Sequence, residues 1–174
     1  MRRRLISMLA AGLLAAGTLL AGGAASAGTA AAHRADCTIG ISTRLRVIDR
    51  GVNYYLGTPN TTFSGAIVRL KPRANSTTLW TFCHVSGDEY AVYNRHLVLT
   101  SRDFSPGGLV SVESPGNSGN GFAAQRWHVT FALSARVVEL QNVKTHLWLR
   151  VRNSGPIMGQ TVTTGSTATA WTFS

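Results

Sequence analysis

Ser118 lies in Gly116-Asn117-Ser118-Gly119, a setting similar to that of a hydrolytic serine, and His84 and Asp103 precede it in His…Asp…Ser order. Chemistry there would need Ser118 as nucleophile, His84 as base and Asp103 as orienter. Two features oppose it. Ser118 sits within Pro115-Gly116-Asn117-Ser118-Gly119-Asn120-Gly121, a composition that forms a loop without any further purpose. The separation, 118 − 84 = 34 residues, is too short for the two barrels that such a triad bridges. The carboxylates Asp88 and Glu89 are sequence neighbours. On a strand they face opposite sides, so they do not make a glycosidase pair. Two lone cysteines and scattered histidines lack zinc-ligand spacing. The sequence therefore predicts no catalytic residue, no metal and no cofactor.

Binding chemistry has better candidates. Trp148 lies between Leu147 and Leu149. If both leucines of an alternating strand point inward, Trp148 points outward, where an indole can stack on a sugar face or anchor a protein. Arg150, Arg152, Asn153 and Gln160 are near it in sequence and offer donors to hydroxyls or carboxylates. Arg44, Arg46, Arg50, Arg69, Arg73, Arg150 and Arg152 include alternating sets that would line a basic surface. Tyr54, Tyr55, Tyr90 and Tyr93 form two pairs, expected mainly in packing.

The charge balance needs correction before it is used. The chain has 174 residues and a formal net charge of +10. Its first segment is an address: a cationic Met1-Arg2-Arg3-Arg4, an apolar run from Leu5 to Leu20, then Ala25-Ser26-Ala27. That pattern is a secretory signal peptide covering residues 1–27, too short and Ala/Gly-rich for a membrane anchor. Cleavage leaves 174 − 27 = 147 residues, one ordinary domain, beginning with a mobile tail at 28–36. Three arginines are lost, so the net charge becomes +7, carried by 12 Arg and 2 Lys. Cys37 and Cys83 lie in the exported part, where a disulfide between them is expected. Asn60-Thr61-Thr62 and Asn75-Ser76-Thr77 fit glycosylation acceptors, but the leader is bacterial in composition and both count as chance. The expected partner is a glycan or an extracellular protein. Nucleic acid is not expected, nor a stable membrane anchor, and a monomer is.

These candidates need a scaffold, and the tryptophans outline it. Leu79-Trp80-Thr81-Phe82, Arg126-Trp127-His128-Val129 and Ala170-Trp171-Thr172-Phe173 recur at spacings of 47 and 44 residues. A second series runs Tyr55-Leu56-Gly57, His96-Leu97-Val98-Leu99 and His146-Leu147-Trp148-Leu149. A third contains Arg46-Val47-Ile48-Asp49, Ala91-Val92-Tyr93-Asn94 and Val138–Asn142. A fourth contains Ile67–Leu70, Leu109–Val112 and Gln160–Thr163. Period-2 alternation with Gly, Pro and Asn punctuation marks strands. Each unit therefore has four strands, over about 43–85, 90–133 and 136–174. One such unit cannot bury its apolar face alone, and three around an axis can. The reading is an all-β domain over 37–174, a β-trefoil of three pseudo-repeats of four strands. Its core would hold Trp80, Trp127, Trp171, Leu56, Leu97 and Leu147.

At this point the chain resembles the ricin-B-type lectin group of β-trefoils, whose repeat carries C-L-D-V, G-T-x-V-Q-x-W and Q-x-W. Gly65-Ala66-Ile67-Val68 and Gly107-Gly108-Leu109-Val110 match the G-T-x-V step, and Gln125-Arg126-Trp127 is a full Q-x-W. Trp80 and Trp171 keep the Trp, with Thr78 and Thr169 in place of Gln. The binding half departs. The sugar-anchoring Asp falls on Gly57, Val98 and Trp148, and the stacking aromatic on Lys71, Glu113 and Gly165. The Asn before Gln falls on Thr77, Ala124 and Ala168. The resemblance implies a secreted carbohydrate-binding module with an altered site, for acidic or cell-wall glycans through Trp148, Arg150, Arg152, Asn153 and Gln160. The alternative is a protein-binding trefoil, such as a hydrolase or protease inhibitor, using the Gly/Asn/Pro-rich stretch from Asp103 to Gly121.

Overall fold

A computed structural model describes residues 40–60, 63–116, 122–132, 135–152 and 162–174. The expected signal peptide and tail, together with Cys37, Ser118, Asn153 and Gln160, lie outside the described residues. The strands are β1 (Gly40–Thr43), β2 (Leu45–Asp49), β3 (Val52–Gly57), β4 (Ala66–Ile67), β5 (Arg69–Lys71), β6 (Trp80–Ser86) and β7 (Glu89–Asn94). They continue with β8 (Leu97–Ser101), β9 (Val110–Glu113), β10 (Arg126–Ala132), β11 (Val137–Asn142), β12 (Trp148–Val151), β13 (Val162–Gly165) and β14 (Trp171–Phe173). Among the described residues no helix is long and apolar enough to cross a membrane.

The strands form a barrel with a cap. The barrel ring runs β6, β7, β10, β11, β14 and back to the first chain segment, where β2 pairs β14 and β1 pairs β6. Arg44 and Ser174 exchange backbone hydrogen bonds of 3.2 Å in both directions, which seals the seam. Closure removes the exposed edges that an open sheet of this size would present. The hairpins β3–β5, β8–β9 and β12–β13 make the cap. They are stitched together near the axis: Val68 N–H donates to Val110 O, and Val162 N–H to Val68 O. This is a β-trefoil.

The tryptophans are the fold's fasteners. Trp80, Trp127 and Trp171 are fully buried. A buried indole N–H needs an acceptor, and each donates to one leucine carbonyl: Leu56, Leu99 and Leu149. The expected series of Leu56, Leu97 and Leu147 is thus two residues out of step in its second and third members. Leu97 is still buried, but Leu147 is only half-buried and Leu149 takes its place in the core. Both leucines of a Leu-x-Leu run point to one side, so alternation alone does not say which one meets the Trp. β1 is a further strand not anticipated in the four-strand unit. It pairs β6 with Gly40 opposite Cys83, and Cys83 is disulfide-bonded.

Buried asparagines join neighbouring units. Asn94 Nδ2 donates to the carbonyls of Thr77 and Leu79, and Asn142 Nδ2 to those of Ala124 and Arg126. The bonds are 2.9–3.1 Å long. At the third junction, one step along the β14–β2 register from Thr172↔Arg46, stands Val47, which has no such donor.

Candidate functional site

The third cap hairpin carries the candidate site. Leu149 and Val151 of β12 enter the core, so Trp148 and Arg150 take the opposite face. Their cross-strand partners are Gly165 and Thr163. The turn that delivers β12 is built by Asn142, whose Oδ1 accepts from the N–H groups of Lys144 and Thr145 at 3.1 Å. Thr145 Oγ1 then accepts from Leu147 N–H, and His146 turns the chain with a φ of +56°.

A loop of the second unit forms the opposite wall. Gly107 N–H donates to Thr164 O at 2.7 Å, and Thr164 N–H to Gly108 O at 2.9 Å. Gly107 has a φ of +92°, where side chains are strained. Gly108 packs so tightly on Asp103 that a Cβ would fall 2.4 Å from the Asp103 Cβ. Between the loop and the hairpin lies a shallow pocket of about 120 Å³, lined by Pro106, Gly107, Arg150, Arg152, Thr163 and Gly165, with Thr164 beneath. The Arg150 stem lies across Gly165, with its Cδ 2.3 Å from where a Cβ would be. Arg150 Nη1 donates to Thr167 Oγ1 at 3.4 Å.

Arg150 and Arg152 therefore meet at one pocket. Among the described residues three ion pairs form, Arg102–Glu113, Arg126–Glu89 and His128–Asp88, and none engages either arginine. Trp148 is half-buried and is not a wall of the pocket. It stands on the outward face of β12, partly rather than fully exposed, opposite the side-chain-free Gly165. The other described arginines are not walls of this pocket. Arg46 bonds Thr172 and Asn53 at the barrel seam, and Arg95 bonds Ser76.

The registers place the three units in correspondence. Leu56, Leu99 and Leu149 are equivalent, so the Asp of the lectin pattern maps to Gly57, Thr100 and Arg150, and not to Val98 or Trp148 in the later units. The aromatic's position stays at Lys71, Glu113 and Gly165, opposite Tyr55, Val98 and Trp148. Lys71 Nζ donates to Thr77 Oγ1 at 2.8 Å and to Asn60 Oδ1 at 3.2 Å. Burial and the Arg95 charge push its ammonium below the ordinary lysine value. Of the triad candidates, His84 Nε2 lies 2.9 Å from Gly87 O and its ring meets Tyr90 edge-on. Asp88 and Glu89 have separate partners, His128 and Arg126. Tyr54 and Tyr90 pack against the core. Asn75 Oδ1 caps the turn at Ser76–Thr78.

Comparison with solved structures supports the fold. A designed threefold-symmetric protein, ThreeFoil, is 21% identical, with a TM-score of 0.64 over 76% of this chain and 96% of that one. The Polyporus squamosus lectin, solved bound to a Neu5Aca2-6Galb1-4GlcNAc epitope, is 18% identical, with a TM-score of 0.55 over 76% of this chain. The agglutinin from Abrus precatorius is 18% identical, with a TM-score of 0.58 over 78% of this chain. Each lectin chain is matched over 48% of its own length. No protein-family profile and no curated protein matches the sequence.

Proposed function

We propose that this chain is a secreted carbohydrate-binding module whose third unit holds an acidic glycan. The observation that carries the reading is the pocket that Arg150 and Arg152, with no acidic partner among the described residues, line together with Thr163 and Gly165. Guanidinium forks suit carboxylate and sulfate groups. At about 120 Å³ the pocket is smaller than the roughly 300–1,000 Å³ of deep ligand sites. It therefore grips part of one sugar residue at the surface. Lectins among the fold neighbours agree with this use of the scaffold, although fold alone does not choose a function. Binding, not catalysis, is the proposed activity.

The test is a glycan array at low and high salt. Acidic glycans are expected to bind and to weaken as salt screens the arginines. Arg150→Ala and Arg152→Ala are each expected to remove the signal. An array with no hits at low salt sinks the reading. Export is tested by sequencing the mature N-terminus, expected at Gly28. A second reading, a protein-binding trefoil such as a hydrolase inhibitor, draws on Phe104, 58% exposed on the loop beside the pocket. It predicts that Phe104→Ala, and not Arg150→Ala, relieves inhibition of a target enzyme.

A further inference from the structure

The three units treat one position in three ways. In the first, Lys71 fills the face of the cap hairpin and is held by Thr77 and Asn60. In the second, Glu113 fills it, 2% exposed. Its Oε1 accepts from Ser111 Oγ at 2.9 Å and from Arg102 Nε. The Arg102 guanidinium is carried beside Gly65, in the loop of the first unit that runs onto β9. In the third, the position is Gly165.

The β12–β13 and β8–β9 registers superpose residue by residue. Ser101 corresponds to Val151, Ser111 to Thr163 and Glu113 to Gly165. Arg102 and Arg152, the next residues after Ser101 and Val151, therefore correspond too. The third unit keeps the arginine and the hydroxyl that hold a carboxylate in the second, and lacks the carboxylate. The Arg150 stem lies over that place, and the pocket opens beside it, between Arg150, Arg152 and Thr163.

We infer that the second unit is a self-occupied copy of the third unit's site, and that Glu113 reports the ligand group: a carboxylate, as on a uronic-acid or other carboxylated sugar. Arg152 and Thr163 receive it as Arg102 and Ser111 receive Glu113. Arg150, which replaces Thr100, adds a second guanidinium from the floor. This deepens the carbohydrate-binding reading and rests on it.

The experiment titrates the mature chain with methyl β-D-glucuronide and with its neutral counterpart, methyl β-D-glucoside, followed by backbone amide NMR. The glucuronide is expected to bind at one site, moving Arg152, Thr163 and Gly165, with affinity at least about tenfold above the glucoside, as one charge-assisted pair requires. Gly165→Glu displaces the Arg150 stem, offers Arg152 an internal carboxylate and is expected to abolish glucuronide binding in a folded protein. Glu113→Gly is expected to free Arg102 and add a second glucuronide site. If that variant fails to fold, Gly165→Glu decides alone. Equal binding of both sugars at the third unit overturns the carboxylate assignment and leaves the carbohydrate reading standing. Full glucuronide binding by Gly165→Glu does the same. Failure of both sugars, and of every glycan on the array, overturns both.

Discussion

Asn142→Ala tests how the site is held in place. The side chain is fully buried and works at both ends. Its Nδ2 satisfies Ala124 O at 3.0 Å and Arg126 O at 3.1 Å, while its Oδ1 gathers the amides of Lys144 and Thr145. Arg126 O keeps a second donor, Val143 N–H at 3.0 Å, so truncation costs it little. Ala124 O is the group left without the asparagine, at about 1–3 kcal/mol for a buried unpaired carbonyl. Losing the acceptor for two half-buried amides adds about 1 kcal/mol. The expected total is about 3 kcal/mol, which lowers Tm by roughly 10 °C in a domain of this size. Val47→Ala, at the equivalent junction, removes only methyl groups from a half-buried site and is expected to cost about 1 kcal/mol or less. Thermal unfolding by circular dichroism of both variants measures the difference. Because Asn142 also shapes the turn before β12, the amides of Trp148 and Arg150 are expected to shift in Asn142→Ala and not in Val47→Ala. If the two variants melt together, the asparagine is not the fastener described.

Three further outcomes are expected. Thr164 Oγ1 is buried with no hydrogen-bond partner among the described residues, at the position occupied by Leu70 and Val112 in the other units; Thr164→Val should stabilise by about 1 kcal/mol in denaturant titration, and a loss of stability would contradict this. Reducing the disulfide at Cys83 should cost about 3–4 kcal/mol if it closes the long loop to Cys37, with β1 amides exchanging first; unchanged exchange in β1 would refute the link. The hydrogen bond from His128, 2.9 Å away, holds the Asp88 carboxyl below its ordinary value. Its contribution is present above the unfolded carboxyl value, near pH 4, and is lost as the pH falls through the lowered value. Carboxyl ¹³C NMR should show Asp88 titrating higher in His128→Gln, and no movement would remove the pairing from the account.

The threefold period was legible because each tryptophan needs the same surroundings: a buried slot, a strand on either side and a carbonyl for the indole N–H. What repeats physically repeats in residue type. The offset at Leu97 and Leu147 had the opposite cause. His96-Leu97-Val98-Leu99 and His146-Leu147-Trp148-Leu149 each offer two leucines of the same face, and the turns before them differ in length. β1 was invisible for another reason. Gly40-Ile41-Ser42-Thr43 carries no alternating apolar face, and Ile41 is 61% exposed; its pairing is supplied by β6 beside the bonded Cys83. Arg150 and Arg152 were candidates from sequence. Thr163 was not, and the Gly107 loop was read only as part of the Asp103–Gly121 stretch of the protein-binding alternative, because only the crossing of the second unit over the third brings them to these arginines.

A symmetric scaffold separates two kinds of position. Where all three units need the same contact, symmetry is kept: three tryptophans, three leucine carbonyls and three stitched valines at the cap. Where the units share a shape without a shared need, each is free to diverge, and Lys71, Glu113 and Gly165 do so. A lysine and a glutamate there are solutions internal to the fold, each with its own hydrogen-bond partners. A glycine is not a solution of that kind, because it satisfies nothing. Alanine at 165 would already press on the Arg150 stem, so the absence of a side chain is what lets that arginine lie along the floor of the pocket. Subtraction at 165 thus makes room first for an arginine, and the pocket takes its charge from that arginine beside Arg152.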